Sequence, residues 1–270
     1  RIYVFGGETV NVLPGTAFVP SVLSTIDGFL RAYVQLSTGE RFDPLSGEWE
    51  VLPPMPTARA GCAATTADGL IYVCGGRADE TLLSVVERFD PAVDRWERLP
   101  KMPTARSGCA ATAAKGRIFV IGGKCDNGRV QGVTERFDPS FGRWAKLPSM
   151  LSPRSAFCAG CIGDVVYAIG GFNGSMGLAS AESFDPAIGQ WVEQPPMSAP
   201  RVGGAAAVTA GCIYVFGGKS TDQDRALMGE SFDPVARCWQ KSTRMAERQV
   251  YCAGAAAVSA LSPFAEGERW

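Results

Sequence analysis
The feature that most constrains this chain is a unit that returns five times in register. An apolar run closing on two glycines recurs as RIYVFGG (1–7), LIYVCGG (70–76), RIFVIGG (117–123), VVYAIGG (165–171) and CIYVFGG (212–218). A Phe-Asp-Pro follows each run, with its aspartate at Asp43, Asp90, Asp138, Asp185 and Asp233. A tryptophan comes next, at Trp49, Trp96, Trp144, Trp191 and Trp239, with spacings of 47, 48, 47 and 48 residues. Nine or ten residues later stands an arginine: Arg59, Arg106, Arg154, Arg201 and Arg248. A period of this length holding four strand-sized segments predicts an all-β propeller, one blade per unit.

Each unit divides into strands a to d. Strand a is the small-residue run after the arginine, such as SGCAATA (107–113), suited to the crowded axis of a ring. Strand b is the β-branched and aromatic run before the glycines. The glycine pair predicts a place where backbone passes too close for a side chain. Strand c carries Glu-Arg-Phe or Glu-Ser-Phe, and Asp-Pro opens the turn after it, because proline presets φ and aspartate bonds its own backbone. Strand d carries the tryptophan, placed to cover a seam between blades.

Composition narrows the chemistry. Histidine is absent from all 270 residues, so Ser-His-Asp and Cys-His mechanisms are excluded and no imidazole metal ligand exists. A net charge of −1 with only 20% charged residues argues against a phosphate-binding surface, hence against nucleic acid as the main partner. No apolar run reaches membrane-spanning length, so no membrane partner is expected. Nine cysteines, an odd number, lie mostly in apolar strand-like runs and read as buried free thiols, which favours a reducing, cytoplasmic setting. Cys158 and Cys161 form a C-x-x-C, but residues three apart on a strand point to opposite faces, which disfavours a metal or redox pair. The glycine doublets do not open helices, so no phosphate cradle is read. No cofactor, metal or catalytic group is expected, and the chain reads as a non-enzyme.

The glycine doublets, the downstream aromatic and tryptophan, and the arginine before strand a resemble the kelch motif, and the resemblance covers the chain from Arg1 to about Ala260. It implies a kelch β-propeller over residues 1–260, and the five Gly-Gly units give it five four-stranded blades, a departure from the six- or seven-bladed rings more usual for such propellers. The chain opens at strand b and ends on a strand-a-like run, QVYCAGAAAVSA (249–260), so this C-terminal strand is expected to complete the first blade. Residues 261–270 are expected to be a tail or the stub of a sixth blade. Because the first residue is Arg1 and not methionine, a fragment or processed chain is expected. Within residues 8–39 the first unit also carries 21 or 22 extra residues, since Gly7 to Asp43 spans 36 positions against 14 or 15 elsewhere. A lid or interaction loop, a disordered excursion and a gene-model artefact all fit that length.

Strand order places the b–c and d–a loops on one face and the Asp-Pro turns on the other. In kelch adaptors the first of these faces binds the partner, which implies a partner-binding set here. It comprises the arginines Arg59, Arg106, Arg154, Arg201 and Arg248; Ser107, Ser155 and Gln249 after three of them; and Arg77, Lys124, Phe172 and Lys219 after the glycine pairs. Converging guanidinium forks suit an acidic protein or peptide motif. An arginine repeated in every blade equally suits a structural tie through backbone carbonyls, and both readings stand at this point. The resemblance further implies a protein-interaction module, among them substrate-recognition domains of cullin-based ubiquitin-ligase adaptors whose ligase contacts lie outside this chain. Actin-associated scaffolds and kelch-type carbohydrate-active enzymes such as sugar mutarotases are the alternatives.

Overall fold
The computed structural model describes residues 2–5, 8–12, 23–26, 29–220 and 228–244. Every regular element among them is a strand. The first unit contributes β1 (Ile2–Phe5), then a separate antiparallel sheet of β2 (Glu8–Val12), β3 (Leu23–Ile26) and β4 (Phe29–Gln35), and then β5 (Gly39–Asp43) and β6 (Glu48–Leu52). The second holds β7 (Ala63–Ala67), β8 (Leu70–Cys74), the two-residue hairpin β9 (Arg77–Ala78) and β10 (Thr81–Leu82), β11 (Val86–Asp90) and β12 (Arg95–Leu99). The third runs β13 (Ala110–Ala114), β14 (Arg117–Ile121), β15 (Thr134–Asp138) and β16 (Arg143–Leu147). The fourth runs β17 (Cys158–Ile162), β18 (Val165–Ile169), β19 (Ala181–Asp185) and β20 (Gln190–Gln194). The fifth runs β21 (Val202–Thr209), β22 (Cys212–Lys219), β23 (Met228–Asp233) and β24 (Cys238–Arg244).

Units two to five are four-stranded antiparallel meanders in the expected a-b-c-d order, and the blades stand side by side in a five-blade propeller arrangement. The strands a of neighbouring blades two to five touch one another along the axis. The first blade shows three strands, β1-β5-β6. The segment expected to complete it, residues 249–260, lies outside the described residues, as does the 261–270 tail. The described residues of the first unit's extra segment include the sheet β2-β4-β3, in which β4 pairs with both neighbours.

Each blade has a rear face toward the preceding unit and a forward face toward the next. Alternation along strand b sets them: Ile118 and Val120 of blade three pack rearward on Tyr72 and Cys74 of blade two. Phe119 and Ile121 pack forward on Val166 and Ala168 of blade four. Tyr167 and Ile169 repeat this against Ile213 and Val215 of blade five. The core is therefore a series of inter-blade seams, not one central cluster.

The tryptophans lock these seams. Trp96 Nε1 donates to the Pro53 carbonyl at 2.9 Å, Trp144 to Pro100 at 2.9 Å, Trp191 to Pro148 at 3.0 Å and Trp239 to Pro195 at 2.7 Å, each reaching back one blade. Each ring also tilts against the phenylalanine of its own strand c, with centroids 5.0 Å apart for Phe137 and Trp144. On the opposite face the Asp-Pro turns close as expected: Asp90 and Asp185 each accept a hydrogen bond from the backbone two residues on, at 2.9 and 2.8 Å.

Candidate interaction face
The glycine pairs are where the d–a loop of one blade meets the b–c loop of another. A Cβ on Gly122 would stand 2.5 Å from the Arg154 carbonyl of the next blade. One on Gly123 would stand 2.8 Å from the Ser107 carbonyl of its own blade. Both glycines have positive φ, 61° and 94°. The space is taken by a hydrogen bond: Gly123 N–H donates to the Arg154 carbonyl at 2.7 Å, as Gly76 does to Arg106 and Gly171 to Arg201.

That approach threads each repeated arginine into the interior. Arg59, Arg106, Arg154 and Arg201 are at most 2% exposed. Nη1 of Arg59 donates to the carbonyls of Gly75 and Val85 at 3.0 and 3.1 Å, and Nη2 donates to Glu87 at 2.7 Å. Arg154 repeats the pattern with Gly170, Ser180 and Glu182. Arg201 reaches the carbonyls of Gly217 and Met228 and the carboxylate of Glu230. Nη2 of Arg106 stands 2.8 Å from Glu135 Oε2, an ion pair without the in-line geometry of a hydrogen bond. The four glutamates are as buried as their arginines. They also gather the d–a loop: Glu87 accepts from Thr57 at 2.7 Å, Glu135 from Thr104 at 2.6 Å, and Glu182 from the amides of Leu151 and Ser152.

The assignment of Arg59, Arg106, Arg154 and Arg201 to a ligand surface is therefore corrected. Their donors are spent on carbonyls and a carboxylate inside the blade, with no face toward solvent. A glutamate recurs in every unit at Glu40, Glu87, Glu135, Glu182 and Glu230, but only the fold puts Glu87, Glu135, Glu182 and Glu230 beside the arginines. Arg248 and Gln249 lie outside the described residues.

The other expected residues are brought together in pairs. Ala60 bridges Arg77, Ser107 bridges Lys124 and Ser155 bridges Phe172, while Val202 pairs with Lys219. Lys124 and Lys219 are exposed; Arg77, Ser107 and Phe172 are half-buried. Ser155 is buried, with its hydroxyl 3.4 Å from the Phe172 carbonyl. The b–c loops beside them are short and shaped by asparagine: Asn127 accepts from the Arg129 amide, and Asn173 from Ser175 and Met176. Exposed Asp79, Glu80 and Asp126 stand among the cations Lys124, Arg129 and Lys219, so the face is mixed in charge. The extra sheet joins this face, because Gln35 Oε1 accepts from the Asp79 amide at 3.1 Å.

A feature the sequence did not announce stiffens the mouth. Gly108 N–H donates to the Gly61 carbonyl, Ala156 to Gly108 and Gly203 to Ala156, each at 2.8 Å. These backbone bonds step from blade to blade with φ positive at every member, including 49° at Ala156. The side chains of the neighbouring pairs thus stand on a fixed platform. Among the described residues, no group of three or more His, Cys, Asp or Glu side chains is placed to hold a metal ion. A shallow concavity at Leu70, Arg88, Trp96 and Glu97 lies on the Asp-Pro side of blade two, away from this mouth. The cysteines are free thiols among the described residues. Burial pushes Cys109 up to about 11 against a smaller opposing pull from Arg106, and burial helped by Asp164 pushes Cys161 up to about 11.

Comparison with known proteins agrees with this geometry. Residues 1–171 match the model described as the KLHDC2/KLHL20/DRC7 Kelch-repeats domain. The chain belongs to the kelch-repeat family. A second kelch motif model matches residues 153–198. A curated relative, spermatocyte protein spe-26 of Caenorhabditis elegans, is 32% identical over 84 residues, covering 31% of this kelch chain and 12% of that protein. A solved structure titled "Structure of YjhT" shares the kelch fold at a TM-score of 0.70 and 17% identity, covering 80% of each chain.

Proposed function
We propose that this kelch propeller is a non-enzymatic protein-interaction module that receives a peptide or protein segment on the b–c/d–a face. The observation that carries this reading is the row of partly accessible side chains Arg77, Ser107, Lys124, Phe172 and Lys219. Each sits on a backbone pair fixed at a rigid mouth, so little conformational entropy remains to be lost on binding. Lys124 and Lys219 suit carboxylates on the partner, and Phe172 offers an apolar contact between them. A carbohydrate-active site is less well supported, because the arginines and glutamates it would draw on are already paired inside the blades. A role as the recognition domain of a ubiquitin-ligase adaptor rests on the kelch resemblance alone. The cytoplasmic setting rests on the free cysteines.

A peptide array of acidic and neutral segments against the purified chain tests the reading. Lys124→Ala with Phe172→Ala is expected to weaken captured peptides by roughly tenfold or more without loss of fold. If the double variant binds like the parent, or no peptide is captured at all, the assignment of this face fails.

A further inference from the structure
The Asp-Pro turns carry a residue type that their own geometry does not require. In each turn the aspartate carboxylate accepts from the backbone two residues on: Asp43 from Leu45 at 3.0 Å, Asp90 from Ala92 at 2.9 Å, Asp138 from Ser140 at 3.1 Å, Asp185 from Ala187 at 2.8 Å and Asp233 from Val235 at 2.8 Å. A left-handed residue closes each turn: Gly47, Asp94, Gly142, Gly189 and Arg237, with φ between 50° and 74°. Those two devices complete the turn, and polar residues ordinarily fill the rest. Here every turn instead presents a bulky apolar tip. Leu45, Val93, Phe141, Ile188 and Val235 are 99%, 66%, 74%, 69% and 93% exposed.

A turn position accounts for the exposure but not for the chemistry. Blades two, three and four have described blades on both sides, so the exposure of Val93, Phe141 and Ile188 does not depend on either end of the chain. The a–b turns on the same face are built from small or polar residues: Asp68-Gly69, Lys115-Gly116, Gly163-Asp164 and Ala210-Gly211. Strands run from a at the axis to d outside, so the apolar tips form an outer ring around these inner turns. An apolar residue at the tip of all five turns differs from apolar residues scattered singly over a surface.

Cations accompany the tips. Arg95, Arg143 and Arg237 are exposed, and each follows its apolar tip by two residues. Gln190 takes that place beside Ile188. Against them stand the exposed acids Glu48 and Asp68. Other acids of these turns are paired: Asp94 with Arg41 at 3.2 Å, Asp138 with Arg117 at 2.9 Å and Asp164 with Lys115 at 3.0 Å. An apolar tip beside a guanidinium joins a side chain that enters the acyl boundary to one that stays with anionic headgroups. We infer that the Asp-Pro face docks on an anionic lipid membrane, with the tips entering the interface and Arg95, Arg143 and Arg237 meeting headgroup phosphates. Each tip stands on its own blade. A rigid protein would have to match five separated points, whereas a fluid lipid surface closes around each one. The shallow concavity on this side borders Val93 and none of the other tips. No spanning segment is involved, because such tips lie in the interface. The b–c/d–a face, on the opposite side, stays free for the partner proposed above.

Co-sedimentation of the whole chain with vesicles tests this. One set is phosphatidylcholine alone, and the other is phosphatidylcholine with about 30% phosphatidylserine. The chain is expected to pellet with the anionic set, and less so as salt rises. Phe141→Ser with Ile188→Ser should lower the partition coefficient by roughly tenfold or more. Arg95→Gln with Arg143→Gln should weaken binding to the anionic set and bring the two sets closer together. All four side chains are exposed, so thermal melts of both double variants should match the parent, and peptide capture on the opposite face should be unchanged. The inference fails if the chain pellets with neither set, or if the tip variant pellets like the parent. It also fails if, without vesicles, light scattering finds the parent self-associated and the tip variant monomeric, because a second copy then covers the tips.

Discussion

Blades one and four are built from the same landmarks and are held in opposite ways. Blade four keeps Glu182 buried against Arg154 and two backbone amides, Trp191 sealed on the Pro148 carbonyl, and both faces covered. Blade one repeats Glu40, Phe42 and Trp49 in register, yet Glu40 and Trp49 are exposed. The difference lies in neighbours, not residues. A kelch motif supplies half of each interaction, and the adjacent blade or the adjoining strand supplies the other half. A repeat residue is therefore as stabilising as its surroundings allow.

Paired substitutions sharpen that contrast. Glu182→Ala strands the Arg154 guanidinium in the interior and is expected to cost about 3–5 kcal/mol. Glu40→Ala should stay within about 0.5 kcal/mol, the range of a surface change. Chemical denaturation of both variants reads the gap, and equal losses would break the comparison. Trp191→Ala is expected to cost about 3–5 kcal/mol as a buried aromatic truncation. Trp49→Ala should lose only about 1 kcal/mol, the worth of its ring contact with Phe42.

Glycines extend the test to the backbone. Gly122→Ala drives a Cβ against the Arg154 carbonyl at a positive φ, and more than about 2 kcal/mol should be lost. Gly47→Ala, in the Asp-Pro turn of blade one, meets open space and should lose only the roughly 1–2 kcal/mol of a left-handed alanine. Thermal melts of the two variants measure the ratio.

The smallest effect concerns acid. Arg117 hydrogen-bonds Asp138 and holds its carboxyl below the usual carboxylate range. A carboxylate whose pKa is depressed by folding contributes stability above its unfolded pKa and loses it as pH falls through the folded value. Arg117→Ala should therefore lower the melting temperature slightly at neutral pH. The deficit should begin to shrink below the ordinary aspartate pKa and vanish only once pH has passed below the depressed folded value. A deficit that persists unchanged in acid would show that Arg117 acts through packing instead.

Much of this could be read in the chain. The strands of units two to five, the Asp-Pro turns, the glycine approach and the tryptophan at the seam follow from local residue chemistry repeated five times. The pairing of Ser107 with Lys124 and Ser155 with Phe172 follows from strand order. The arginines could not be placed that way, since a guanidinium before an inner strand satisfies a ligand or a carbonyl equally well in one dimension. Glu87, Glu135, Glu182 and Glu230 decide it, 28 or 29 residues further along the chain. The sheet β2-β4-β3 was equally hidden, because in sequence the apolar stretch of the first unit fits a lid, an excursion or a gene-model artefact alike.

The sequence alone determined the all-β architecture, the period and the count of five units, because hydrophobic alternation and turn residues act over a few positions. Only the tertiary structure decided which charges are buried, which face of each blade is covered and which residues remain for a partner. Those outcomes depend on groups that meet across a seam or between strands, and the free energy of a buried charge or an exposed ring belongs to that meeting rather than to either residue.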